Sequence, residues 1–180
     1  MQENLCIAIS GTPGSGKTSL SRLFEGNDIS VYPIKDLAEQ YQCIGDVDQS
    51  DGAQEIDIHR LADEWENKDA GLVIIDGHLS HFLDVDAVVL LRCNPDDLEK
   101  RLTSRGYNEK KVKANSEWEF IAGNWSELLE FEIELPILEL NSTSQSPEEL
   151  FKIVNEWISN GLPYTTVSEE SQKAIDWMES

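Results

Sequence analysis

Short uninterrupted apolar runs alternate along this chain with stretches in which apolar residues recur every three or four positions. The runs are Leu5-Cys6-Ile7-Ala8-Ile9, the segment 29–34, Leu72-Val73-Ile74-Ile75, Ala87-Val88-Val89-Leu90-Leu91 and Pro136-Ile137-Leu138-Glu139-Leu140. Runs of this kind predict strands buried on both faces, as in a parallel sheet. Helical spacing predicts helices over 17–25, 36–41 and 58–65, the last with Ile58, Leu61, Ala62 and Trp65 on one face. Asn94-Pro95-Asp96-Asp97 and Ser146-Pro147-Glu148-Glu149 combine a capping side chain, a first-turn proline and acids facing the helix dipole, so each starts a helix. The first of these ends near Gly106. A long helix over about 108–131 follows, carrying Ile121, Trp125, Leu128 and Leu129. Residues 45–57, with Asp46, Asp48, Asp51, Glu55 and Asp57, read as a mobile acidic loop. Gly161-Leu162-Pro163 stops the helix that starts at Ser146, and the tail beyond it is expected to add a short helix containing Ala174, Ile175, Trp177 and Met178. Five buried strands separated by helices predict an α/β three-layer fold with a five-stranded parallel sheet, whose ligand chemistry lies at the strand C-terminal ends.

Length and composition narrow this picture. A chain of 180 residues is expected to be one domain with a substantial core. It has no apolar run of membrane-spanning length. The first strand follows Met1-Gln2-Glu3-Asn4 at once, so no leader is expected. Cys6, Cys43 and Cys93 lie far apart without metal spacing and are expected to be reduced thiols, which points to a cytoplasmic location. The net charge of −21 disfavours nonspecific nucleic-acid binding. It is explained either by solubility or salt adaptation, or by an acidic face that receives a basic partner. Seven of the 14 Lys and Arg fall within residues 92–113: Arg92, Lys100, Arg101, Arg105, Lys110, Lys111 and Lys113. That island reads either as an anion-contacting surface or as a solvated helix face.

The first run leads directly into Gly11-Thr12-Pro13-Gly14-Ser15-Gly16-Lys17-Thr18, which satisfies G-x-x-x-x-G-K-[ST] and opens a helix. Glycines let backbone N–H groups approach phosphate oxygens, and the helix N-terminus adds its positive dipole end. Lys17 would reach the β- and γ-phosphates of a nucleoside triphosphate and Thr18 would ligate Mg²⁺. Asp76 ends a second apolar run and suits an acid that orients the metal and its waters. His78, two residues on, either positions a water or polarises a phosphate, or is simply hydrogen-bonded in a turn. His59 and His81 read as structural. Arg92, Arg101 and Arg105 are candidates for holding transferring phosphoryl groups, with Arg105-Gly106 placed to hinge a lid.

Together Gly11–Thr18, Ile75-Asp76-Gly77-His78 and Arg101-Leu102-Thr103-Ser104-Arg105-Gly106-Tyr107-Asn108-Glu109-Lys110-Lys111 resemble the adenylate kinase isoenzyme six family over about residues 5–158, leaving the tail outside. The resemblance implies a P-loop NTPase fold of the nucleoside monophosphate kinase type, with a monophosphate-binding insertion at about 30–53 and a lid at about 104–114. It implies ATP contacts from Gly14, Ser15, Gly16, Lys17, Thr18, Ser19 and Arg105, with Mg²⁺ at Thr18 and Asp76. It also implies two activities: phosphoryl transfer from ATP to AMP, and ATP hydrolysis during late maturation of the small ribosomal subunit, in contact with a basic platform protein of that subunit. The resemblance implies a basic residue in many members of the family where this chain has Glu39, and Arg60 is the only arginine between Arg22 and Arg92. The expectation is therefore an ATP–Mg²⁺ enzyme that hydrolyses ATP and has a modest kinase activity, with Lys17, Asp76, His78 and Arg105 catalytic. The alternatives are a nucleotide-switched binding protein and a small-molecule kinase with another acceptor.

Overall fold

The computed structural model describes residues 4–26, 28–49 and 53–179. Its central sheet contains five parallel strands in the order β2-β5-β1-β6-β7: β1 Leu5–Gly11, β2 Ser30–Pro33, β5 Leu72–Asp76, β6 Ala87–Arg92 and β7 Ile137–Asn141. Strand β1 lies between β5 and β6, with Ile9 opposite both Asp76 and Val89. The chain thus leaves β1 at the point where the strand order reverses, and this is where a crevice opens in such sheets.

Alternate residues of each strand face opposite layers. Cys6, Ala8, Val73, Ile75, Val88 and Leu90 pack against the helices α2 Ile34–Gln40, α3 Ile58–Glu64 and α6 Gly123–Glu130. Ile7, Ile9, Ile74, Val89 and Leu91 pack against Leu20 and Phe24 of the segment led by α1 Lys17–Ser21, and against Leu150, Val154 and Trp157 of α7 Pro147–Ser159. This double burial is what the continuous apolar runs predict. A smaller cluster of Cys93, Leu98, Leu102 and Val112 ties α4 Pro95–Ser104 to α5 Glu109–Phe120.

Three segments differ from the pattern-based reading. The acidic stretch contains an antiparallel hairpin, β3 Ile44–Val47 and β4 Gln54–Ile56, because Ile44 and Ile56 sit opposite each other and pack on the α2–α3 layer; Asp51 and Gly52 lie outside the described residues. The long helix over 108–131 is broken into α5 and α6. Ala122 adopts a left-handed conformation, φ 53°, and Gly123 lies against Trp118 so closely that a Cβ would sit 2.2 Å from the indole. Only glycine admits that approach. The tail's helix is α8 Val167–Ser171, upstream of the expected position, with a Thr166–Glu169 capping box. Ala174, Ile175, Trp177 and Met178 follow in irregular backbone.

The cysteines are buried, each at most 2% exposed, and unpaired. Burial, with Asp86 and Asp84 nearby, pushes the Cys6 thiol up to about 12, and burial raises Cys43 and Cys93 as well. The thiolate is the reactive form. Native protein at pH 8 is therefore expected to resist iodoacetamide, with all three thiols alkylated only after unfolding. Rapid labelling of the native chain, read by mass spectrometry, would contradict this burial. Among the described residues no helix is long and apolar enough to cross a membrane.

Candidate functional site

The loop after β1 folds as the glycine pattern requires. Gly14 and Gly16 sit at φ 88° and 98°, the left-handed region open to glycine, and Gly16 caps α1. Lys17 is almost fully buried and folds back over the loop, its Nζ donating to the Gly11 carbonyl at 2.9 Å and the Thr12 carbonyl at 3.1 Å. Desolvation lowers its pKa to about 8, with Arg105 acting in the same direction and Asp76 and Glu119 opposing. An ammonium held with only carbonyl partners is poised to exchange them for phosphate oxygens. Ser15 Oγ is buried without a hydrogen-bond partner. Such an orphaned hydroxyl is costly unless something outside the chain satisfies it, so the loop fits a polyanionic ligand.

Asp76, at the end of β5, is buried and accepts a hydrogen bond from Ser21 Oγ at 3.1 Å. Thr18, in the first turn of α1, is exposed. Among the described residues no three His, Cys, Asp or Glu side chains converge on one point. A divalent ion here would be held by the Thr18 hydroxyl, Asp76, waters and phosphate oxygens, as suits Mg²⁺ rather than Zn²⁺. The donor set fits that group.

Two clefts flank the loop. One, of about 440 Å³, is bounded by Gly14, Gly16, Ser19, Arg101, Arg105 and the polar segment 142–146. The other, of about 360 Å³, is bounded by Thr12, His78, Asn115, Trp118, Asn124 and Glu127. The loop thus separates an arginine-lined cleft from one that has no arginine or lysine in its wall.

The candidate arginines have different fates. Arg105 is exposed at the mouth of the first cleft. Arg101 spans that cleft's wall, donating to the Gly14 carbonyl at 3.3 Å and the Ser142 carbonyl at 3.0 Å, so it braces the loop. Arg92 is not at the site. It is fully buried and bonds Glu119 at 2.6 Å and Glu139 at 2.7 Å, which makes it a structural cation and corrects its reading as a phosphoryl ligand. The basic island therefore divides: Lys113 pairs with Glu117, Lys100 with Asp97, and Lys111 lies over the Tyr107 ring.

His78 opens into the second cleft. Its side chain stays solvent-accessible, yet the crowded cleft wall and then Lys17 lower its pKa to about 4. It is a neutral imidazole near pH 7, able to donate one hydrogen bond and accept another. Its backbone carbonyl accepts from Ser10 Oγ at 3.0 Å. His81 is buried between Ser10 Oγ, 2.7 Å, and Glu127, 3.1 Å, while His59 packs beside Phe82 and Phe131. In the segment 30–53, Glu39 is exposed and faces Lys35 at 3.9 Å. Arg60, on α3, is held by Glu64 and the Gln42 carbonyl.

Sequence reasoning missed Glu119, Asn124, Glu127 and the 142–146 segment. The segment carried a signal: Ser142-Thr143-Ser144-Gln145-Ser146 follows directly on the C-terminal end of β7. The three side chains on α5 and α6 carried none, because only the broken helix turns them toward the loop.

Residues 7–122 match the family model of an AAA domain, AAA_18. The chain belongs to this family of P-loop NTPases. It is 36% identical over 150 residues to a protein of Archaeoglobus fulgidus named "Putative adenylate kinase", covering 83% of this chain and 80% of that one. Proteins of the same name match from Methanocaldococcus jannaschii, at 32% identity over 96% of this chain and 93% of that one, and from Pyrococcus abyssi, at 34% over 97% and 92%. Coverage that high takes in residues beyond Gly161, so the likeness reaches into the tail. A solved structure described as an uncharacterized protein from Eubacterium ventriosum superposes with a TM-score of 0.54 at 16% identity, over 86% of this chain and 98% of that one, and shares the fold alone. At family level the chain thus stands with P-loop proteins named putative adenylate kinase.

Proposed function

We propose that this chain transfers the γ-phosphoryl group of Mg²⁺-bound ATP to AMP, giving two ADP, and that it also hydrolyses ATP. The observation that carries this is the pair of clefts meeting across Thr12–Gly16, one able to take the donor nucleotide and the other an acceptor. Phosphoryl transfer is chiefly positioning and charge stabilisation, and each residue has a task of that kind. Gly14, Ser15 and Gly16 cradle the β-phosphate with backbone N–H groups, and Ser19 borders the donor cleft. Lys17 bridges the β- and γ-oxygens. Thr18 and Asp76 would hold Mg²⁺, which would supply charge neutralisation at the phosphates. Arg105 closes over the donor from the lid at about 104–114. His78, neutral at working pH, orients the attacking oxygen.

The acceptor cleft's wall lacks an arginine or lysine and includes the Glu127 carboxylate. Such a wall binds a monophosphate weakly and leaves room for water, which supports hydrolysis beside a modest kinase activity. The resemblance extends the proposal to late small-subunit ribosome and rRNA maturation through a basic platform protein. The charge of −21 supports a basic partner by complementarity.

With Mg²⁺ and ATP, ADP formation is expected without AMP and to increase with it, each AMP consumed accounting for two of the added ADP. EDTA is expected to stop both. His78→Ala is expected to lower hydrolysis about tenfold or more while transfer falls less, in line with removal of a positioned polar group at the reacting oxygen. Equal losses would leave His78 without a role in placing water. Hydrolysis that ignores AMP but responds to the ribosomal protein would favour a nucleotide-switched binding protein; no turnover in either assay, with turnover on some other acceptor, would point to a small-molecule kinase.

A further inference from the structure

The most heavily bonded carboxylate near the loop belongs to none of the roles above. Glu119, in the last turn of α5, is fully buried. One oxygen, Oε1, accepts from Arg92 Nε at 2.6 Å, Trp177 Nε1 at 3.0 Å and the Cys93 N–H at 3.3 Å. The other, Oε2, accepts from Thr12 Oγ1 at 2.6 Å. Thr12 Oγ1 in turn accepts from Asn124 Nδ2 at 3.2 Å, so its proton points at Glu119. The Thr12 carbonyl then receives both the Ser15 N–H, 3.1 Å, and Lys17 Nζ.

We propose that Glu119 is a positioning residue of the phosphate loop, holding Thr12 so that the loop carbonyls seat Lys17, and that the C-terminal segment through Trp177 completes this support. It rests on reading the loop as the ATP site. A carboxylate serving only the Arg92 ion pair would need one oxygen for it, and Oε1 already does that work. Oε2 is directed to the loop. The tail closes the cluster from the other side: Trp177 lies on Arg92, 5.7 Å from ring centre to Cζ, the Ile175 N–H donates to Glu139 at 3.0 Å, and the Ile175 carbonyl accepts from Arg92 at 3.4 Å. Residues far apart in sequence thereby fix the second position of the loop. A displacement of the loop by an ångström costs phosphoryl transfer far more than it costs ligand binding or folding.

The test uses the full chain, with kcat and KM for ATP measured at temperatures where each variant is fully folded. Thr12→Val, which removes the hydroxyl at constant shape, is expected to lower kcat about tenfold to a hundredfold with a smaller change in KM. Thr12→Ser, which keeps the hydroxyl, is expected to restore kcat to within about threefold of wild type. Glu119→Gln, which presents an N–H₂ donor to Thr12 or to Arg92, is expected to resemble Thr12→Val. Trp177→Phe is expected to fall between. Unchanged kcat in Thr12→Val, or a loss that Thr12→Ser does not rescue, overturns the proposal and leaves Glu119 a structural anion. If Glu119→Gln does not fold, the Thr12 pair decides. Lys17→Ala separates the two levels. If wild type turns over ATP and Lys17→Ala does not, the ATP site stands and only the Thr12 result judges Glu119. If wild type does not use ATP, both readings fall.

Discussion

Lys17→Ala is expected to abolish ATP turnover and phosphoryl transfer together, by at least about 10²–10³-fold in kcat, the loss typical of removing one pre-organised donor from a developing anion. The fold is expected to survive. Lys17 is held by two loop carbonyls and sits almost fully buried, and desolvation is the largest of the effects that bring its pKa down to about 8. Placing an ammonium there is a cost to folding that the ligand's phosphates offset, so its removal takes away both a burden and two hydrogen bonds. Melting temperature is therefore expected to shift by only a few degrees, about 1 kcal/mol of net change. Calorimetric titration with a non-hydrolysable ATP analogue and Mg²⁺ would show weakened binding. A variant that retains turnover would remove Lys17, and the loop with it, from the chemistry.

Arg92→Ala is expected to act in the opposite way, on stability first. The guanidinium is fully buried and is shared by Glu119 and Glu139, themselves fully and largely buried. Deleting it leaves two carboxylates close together in a low-dielectric interior without their counter-charge. Removing one partner of a buried ion pair costs about 3–5 kcal/mol. For a chain of this length that corresponds to a fall in melting temperature on the order of 10 °C. Thermal and urea unfolding would measure it. A variant that melts like wild type but loses phosphoryl transfer would restore Arg92 to the active site.

The contrast between these residues shows what a linear reading can reach. Lys17 was legible because its whole environment is local: the carbonyls that hold it belong to residues five and six positions upstream. The five strands were legible for a similar reason, since burial on both faces writes an uninterrupted apolar run. Arg92 was misread because its position at a strand C-terminal end suits a ligand-binding arginine equally well, and the acids that claim it lie 27 and 47 residues away. The break between α5 and α6 was missed because Ile121, Trp125 and Leu128 keep a helical rhythm across it. What breaks the helix is the contact of Gly123 with Trp118, together with the left-handed Ala122.

The sequence by itself determined the phosphate loop, the three-layer α/β architecture and Asp76 and His78 at the end of the strand beside the loop, because each depends on backbone preference or burial periodicity carried by neighbouring residues. The tertiary structure alone decided which cations face the two clefts. It also decided that the cleft wall and Lys17 lower the His78 pKa, that the tail covers a buried ion cluster, and that Thr12 is gripped by Glu119. Those outcomes depend on desolvation and on partners 27 to 107 residues apart, and such distances are set only when the layers close on one another.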